Sequence, residues 1–126
     1  MDLIPVRALL DTNILIDYLH GIALSRGEVE RREGSAISII TWMEVMTGAN
    51  GPEEENQLRI FLSRFEVIGI DPEIASLLVK LRRVHRMRLP DAIIYATAKA
   101  RRMMLVTRNV KDFHPQMDGV VIPYQI

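Results

Sequence analysis

An α/β sandwich on a mainly parallel sheet of four to five short strands is the architecture this sequence favours. Short apolar runs alternate with helix-length amphipathic segments along the chain. Those runs are nearly unbroken, as in strands buried on both faces. With 126 residues, 48% of them hydrophobic, there is room for one well-filled core, so a single domain over residues 1–126 is expected.

The first apolar run spans 6–10, is interrupted by Arg7 and stops at Asp11. A helical pattern over 13–19 ends at His20-Gly21, and the polar stretch 24–33 suits a surface helix. The isoleucine-rich run 36–40 is the second strand; Thr41 then opens a helix toward Gly48, and Asn50-Gly51-Pro52 marks a turn. Pro52 followed by three glutamates is a favourable helix start, because the acids sit in the first turn. That helix ends near Ser63. The third strand covers 65–70, and Asp71-Pro72-Glu73 begins a helix reaching about Met87. Pro90 begins the next helix, which ends near Arg102, and the last strands are 103–107 and 120–122.

Composition narrows the function. Sixteen Lys and Arg offset sixteen Asp and Glu, so any nucleic-acid contact has to come from a local basic patch. The lack of cysteine excludes a disulfide scaffold, a thiolate metal site and a thiol nucleophile. A cytoplasmic setting is the expectation. No apolar stretch approaches the length of a membrane span, and Met1-Asp2-Leu3-Ile4-Pro5 reads as a mature start rather than a signal peptide.

Ligand sites in such sheets lie beyond the carboxyl ends of the strands, which directs attention to Asp11, to 41–44, to Asp71 and to 107–112. Each acid has a local explanation. Asp11 suits a helix cap, Thr41-x-x-Glu44 matches a capping box, and Asp91 lies in the first turn of a helix. Taken together they form a rim of mutually repelling carboxylates, which a shared cation would relieve. Oxygen donors of this kind suit Mg²⁺ or Mn²⁺. His20, His85 and His114 share no ligand-like spacing, which disfavours a histidine-based nuclease.

Four ordered motifs sharpen this reading: Asp11-Thr12-Asn13-Ile14-Leu15-Ile16-Asp17, Thr41-x-x-Glu44-x-x-x-Gly48, Leu89-Pro90-Asp91-Ala92-Ile93-Ile94 and Leu105-Val106-Thr107-Arg108-Asn109-x-x-Asp112-Phe113. Over nearly the whole chain the sequence resembles the PIN domain, and more closely the VapC-type ribonuclease toxins of prokaryotic toxin–antitoxin pairs. The resemblance implies a three-layer α/β/α sandwich and a metal-dependent endoribonuclease. It makes Asp11, Glu44 and Asp91 the catalytic, metal-binding core for Mg²⁺ or Mn²⁺, with Asn13 in support and the Thr107 hydroxyl turned into the cleft. Asn109 stands where many members carry a fourth acid. Asp112 either supplies that charge or turns the chain while Phe113 enters the core. The resemblance also implies a homodimer and a cognate antitoxin whose tail lies across the cleft.

In the chemistry expected here, Asp11 and Asp91 hold the metal, and Glu44 binds it through water or helps deprotonate that water. An acidic cleft needs basic flanks to admit RNA. Arg108, on the rim, and Arg86 and Arg88, from the cationic end of the helix before Asp91, are expected to hold phosphates. With seven aromatic residues in all, a stacking platform for single strands is not expected. Trp42, Met43 and Met46 beside Glu44 are core candidates, or with Tyr18, Ile14 and Leu15 an exposed patch for a partner. Competing readings are a catalytically weak PIN-like RNA-binding protein, a phosphatase using Asp11, and a receiver-type signalling module with Asp71 as phosphoacceptor. The phosphatase lacks a second acid at Asn13, and the receiver lacks a lysine after the last strand.

Overall fold

The computed structural model describes residues 7–126; the N-terminal segment 1–5 and Val6, the first residue of the predicted first strand, lie outside them. The elements run β1 (Ala8–Leu10), α1 (Thr12–Leu19), α2 (Ala23–Arg31), β2 (Ala36–Ser38), α3 (Ile39–Thr47), α4 (Pro52–Leu62), β3 (Glu66–Ile68), α5 (Pro72–His85), α6 (Leu89–Ala100), β4 (Met104–Val106) and β5 (Val120–Val121). The five strands pair in parallel in the order β3-β2-β1-β4-β5.

Strand alternation builds the layers. Leu9, Ala36, Ile68 and Leu105 face a core shared with Ile74, Leu81 and Tyr95 of α5 and α6. Their neighbours Ala8, Leu10, Ile37 and Val106 face the other side, where Ile14, Val29, Val45 and Leu62 come from α1 to α4. The sheet is therefore covered on both faces, which is why its strands read as unbroken apolar runs. This is the expected α/β/α sandwich. No helix among the described residues is long and apolar enough to cross a membrane.

The strands are shorter than predicted, and at β2 the reason is that the apolar run continues into a helix. Ile39 and Ile40 belong to α3, whose cap is Ser38: its hydroxyl accepts from the Ile40 N–H at 3.1 Å. Thr41 is therefore not the cap and Glu44 closes no capping box. The second helix is more than a surface element, because Ser25, Glu28 and Val29 are buried. Nor do the residues around Glu44 form a continuous exposed patch. Ile14 and Leu15 are fully buried, while Tyr18, Trp42 and Met46 are partly buried against the core; Met43 alone of the set is exposed.

Candidate active site

The strand order reverses direction between β1 and β4, and a crevice opens beyond their carboxyl ends at such a switch point. Leu10 is paired with Val106, so the next residues, Asp11 and Thr107, leave the sheet side by side. The Asp11 N–H donates to the Val106 carbonyl at 2.9 Å, and the Thr107 hydroxyl donates to Asp11 Oδ2 at 2.6 Å. Asp11 also caps α1 as predicted, its Oδ1 accepting from the Thr12 N–H at 2.8 Å. Asp11 is 5% exposed. Burial raises its carboxyl to about 6, opposed by the Thr107 and Thr12 hydrogen bonds and reinforced by the charges of Asp91 and Glu44.

Glu44 reaches the same place from α3. Thr41 and Glu44 are three residues apart and share a helix face. Thr41 is buried, with its hydroxyl 3.0 Å from that of Thr12, and the Thr12 hydroxyl donates to Glu44 Oε1 at 2.7 Å. Thr12 thus ties the exposed Glu44 side chain to the start of α1, a positioning role that sequence reasoning missed. The signal was present in Thr41-x-x-Glu44, whose spacing was assigned to a cap instead.

Asp91 enters from the first turn of α6, where every residue from Asp91 to Ala98 is buried. Burial raises its carboxyl, the negative charge of Asp112 adds to this, and the Arg88 guanidinium opposes both. Asp11, Glu44 and Asp91 line one cleft of about 290 Å³ together with Thr12, Asn13, Ile16, Arg88, Arg108 and Asn109. They share the cleft without closing a cage: among the described residues no three acids or histidines converge tightly enough to hold an ion unaided. The fit to a hard divalent cation remains good. The donors are all oxygens, their mutual repulsion is left for a cation to relieve, and Mg²⁺ ordinarily uses one or two carboxylates plus waters and substrate phosphates.

The supporting residues are partly committed elsewhere. Asn13 donates to Asp11 Oδ2 at 3.2 Å, and its amide oxygen accepts from the Arg108 N–H at 3.2 Å. Asn109 Nδ2 donates to Asp112 Oδ2 at 2.8 Å, and its Oδ1 accepts from the Asp112 N–H at 3.2 Å. At position 109 an amide does what an acid cannot: it donates to the neighbouring carboxylate. Phe113 is fully buried, so the chain turns at Asp112 as one of the two readings held.

Of the expected phosphate contacts, Arg86 is exposed and ends α5 in the left-handed conformation, at φ 53°. Arg88 bridges Asp91 and Asp112. Arg108 lines the cleft but binds Asp17 through two hydrogen bonds, and the Tyr124 hydroxyl donates to the same carboxylate at 2.7 Å. Asp17 closes the first motif but carried no assigned role, and Tyr124 lies outside all four motifs. Their partners lie 91 and 107 residues away, beyond any local pattern. Asp71 caps α5, accepting from the Ile74 N–H at 2.8 Å, and pairs with Arg101, so it is engaged structurally.

A family model described as PIN domain matches residues 8–115. The chain is 36% identical over 112 residues to Ribonuclease VapC1 of Methanocaldococcus jannaschii, covering 85% of this chain and 79% of that protein. It is 30% identical over 126 residues to Ribonuclease VapC10 of Mycobacterium tuberculosis, covering 94% and 93%. A chain of a toxin–antitoxin complex from Klebsiella pneumoniae superimposes with a TM-score of 0.89 at 48% identity, covering 94% of this chain and 99% of that one.

Proposed function

Because the chain belongs to the PIN domain family, we propose that this cleft is the active site of an Mg²⁺- or Mn²⁺-dependent endoribonuclease, the toxin of a toxin–antitoxin pair. One observation carries the reading: a buried Asp11 at the sheet's switch point, its carboxyl pushed up by that burial, lines the same cleft as Glu44 and Asp91. Relatives named as ribonucleases support RNA as substrate. The 48% identity to a chain from a toxin–antitoxin complex supports a cognate antitoxin as partner. The homodimer implied by the resemblance is part of the same proposal, and sedimentation of the purified chain tests it.

Asp11 and Asp91 would hold the metal directly, with Glu44 acting through water. When bound, such an ion lowers the pKa of a water and offsets charge building on the phosphate. Thr107 and the Thr12 N–H fix both Asp11 oxygens, so the carboxylate meets its ligand without rearranging. Thr12 holds Glu44 at the cleft wall, where an exposed carboxylate is able to take a proton from the attacking water.

The test is cleavage of labelled RNA in an Mg²⁺ or Mn²⁺ titration, comparing the parent with Asp11→Asn and Asp91→Asn. Parent-only cleavage that EDTA stops is expected, with all three proteins folded. Equal cutting by all three would place the activity elsewhere.

A further inference from the structure

The segment between α5 and α6 carries a cation in an unusual position. The Arg88 side chain is 74% exposed, yet it spans two carboxylates. Its Nε donates to Asp91 Oδ2 at 3.2 Å and its Nη2 to Asp112 Oδ2 at 3.2 Å. The Asp91 contact is a local i,i+3 pair across the start of α6, but the bond to Asp112, 24 residues on, is not local. Arg88 precedes α6 as its cap residue but makes no side-chain cap bond; Leu89 begins the helix and Pro90 follows it in the first turn. What the guanidinium does is bridge Asp91, which lines the cleft, to Asp112 beside it.

Its hold is weak by construction. With the Arg88 side chain 74% exposed, water screens both pairs from its side, although the Asp91 and Asp112 side chains are only 12% and 27% exposed. The arginine stem is long and flexible. Arg108 is the contrast: one-third exposed, locked by two bonds onto a buried carboxylate, it is not free to leave. Arg88 is thus the cleft cation most easily released.

We propose that Arg88 is a tethered counter-cation for the Asp91–Asp112 pair, displaced when a divalent ion binds Asp91 and then available to an RNA phosphate. This rests on the endoribonuclease reading above. Metal and RNA binding become linked, since the metal frees the guanidinium and RNA captures it. By reciprocity each ligand strengthens the other. Without Arg88 the metal loses a competitor, RNA loses one contact, and only the linkage through the ion's own phosphate contacts is left.

Calorimetric titration with Mn²⁺ alone tests the first half, on the parent, Arg88→Ala, Arg88→Lys and Asp11→Asn, each checked for folding by circular dichroism. Arg88→Ala is expected to bind Mn²⁺ roughly two- to fivefold more tightly, the scale of one exposed ion pair, with Arg88→Lys between it and the parent. Anisotropy of a labelled oligoribonucleotide, with and without Ca²⁺, tests the second half. The parent is expected to bind RNA more tightly with Ca²⁺, and Arg88→Ala to show a smaller gain; an equal gain in both overturns the role of Arg88 in the linkage. Unchanged or weaker Mn²⁺ binding in a folded Arg88→Ala, while Asp11→Asn still lowers it, overturns the role of Arg88 alone. A parent that binds no Mn²⁺, or binds it regardless of Asp11→Asn, overturns the endoribonuclease reading and this inference with it. Should Arg88→Ala fail to fold, the direction of change in Arg88→Lys decides in the same way.

Discussion

Arg108 grips Asp17 with both arms of its guanidinium, Nε to Oδ2 at 2.6 Å and Nη2 to Oδ1 at 2.9 Å. The pair joins α1 to the loop after β4, and Tyr124 adds the C-terminal segment to the same carboxylate. Burial pushes the Asp17 carboxyl up, but the Arg108 and Tyr124 hydrogen bonds outweigh it and hold the group below its ordinary value. Burial also pushes the Tyr124 hydroxyl up to about 12, with the Asp17 charge adding to it. Arg108→Ala leaves a buried charge without its main partner. The expected loss is about 3 kcal/mol in urea unfolding, with a smaller loss, about 1 kcal/mol, for Tyr124→Phe. Because the Asp17 shift is downward, its stabilisation is present above pH 3.8 and is lost as pH falls through the lower folded value. An unfolding free energy that Arg108→Ala leaves unchanged at neutral pH would remove this linking role.

Asp11 has the opposite sign. Unfolded it ionises near 3.8 and folded near 6, so the native state keeps its proton longer. The associated stability is full below the unfolded value and is lost as pH rises through about 6. In metal-free buffer Asp11→Asn should therefore melt above the parent at about pH 7.5, by up to about 3 kcal/mol. The advantage should close toward pH 4. Thermal melts across that range decide it, and a variant less stable than the parent at neutral pH would contradict the assignment.

Asn109→Asp sets a second carboxylate where an amide now donates to Asp112 at 2.8 Å. Without metal the variant is expected to lose about 1 kcal/mol of stability. Added Mn²⁺ should recover it, and a melting curve indifferent to Mn²⁺ would show that position 109 does not face the ion.

Thr12→Val removes the hydroxyl that holds Glu44 while keeping side-chain shape. Since small misplacements of catalytic groups are costly, RNA cleavage is expected to fall on the order of tenfold or more, through kcat rather than KM. Parent-like kcat would mean Glu44 needs no such tether.

RNA binding should weaken steeply with salt, because phosphate contacts release counterions. Arg86→Ala is expected to reduce the logarithmic slope by about 0.7, the value for one single-strand contact. A slope unchanged by this substitution would exclude Arg86 from the path.

Asp11 and Asp91 were readable because each stands at a boundary between elements, where the change in hydrophobic pattern is visible along the chain; Glu44 lies inside α3. Asp11 ends an apolar run, and Asp91 follows a proline that starts a helix. The same local reading misplaced the cap at Thr41 because a hydroxyl three residues before a glutamate looks alike whether it bonds its own helix or a neighbouring one. Ser38, inside the isoleucine-rich run, gave no such cue.

Periodicity and turn chemistry are properties of neighbouring residues, so the order of strands and helices and the acids at their ends could be read in one dimension. Partner choice among charged side chains is not such a property. Arg108, expected on the rim, lines the cleft while its guanidinium holds Asp17, and Arg88 stands between Asp91 and Asp112. Those pairings depend on which groups the sheet order brings within a few ångströms and on how much water remains around each. Only the folded chain decides that, because the strength of a charge pair is set by distance and burial rather than by position in sequence.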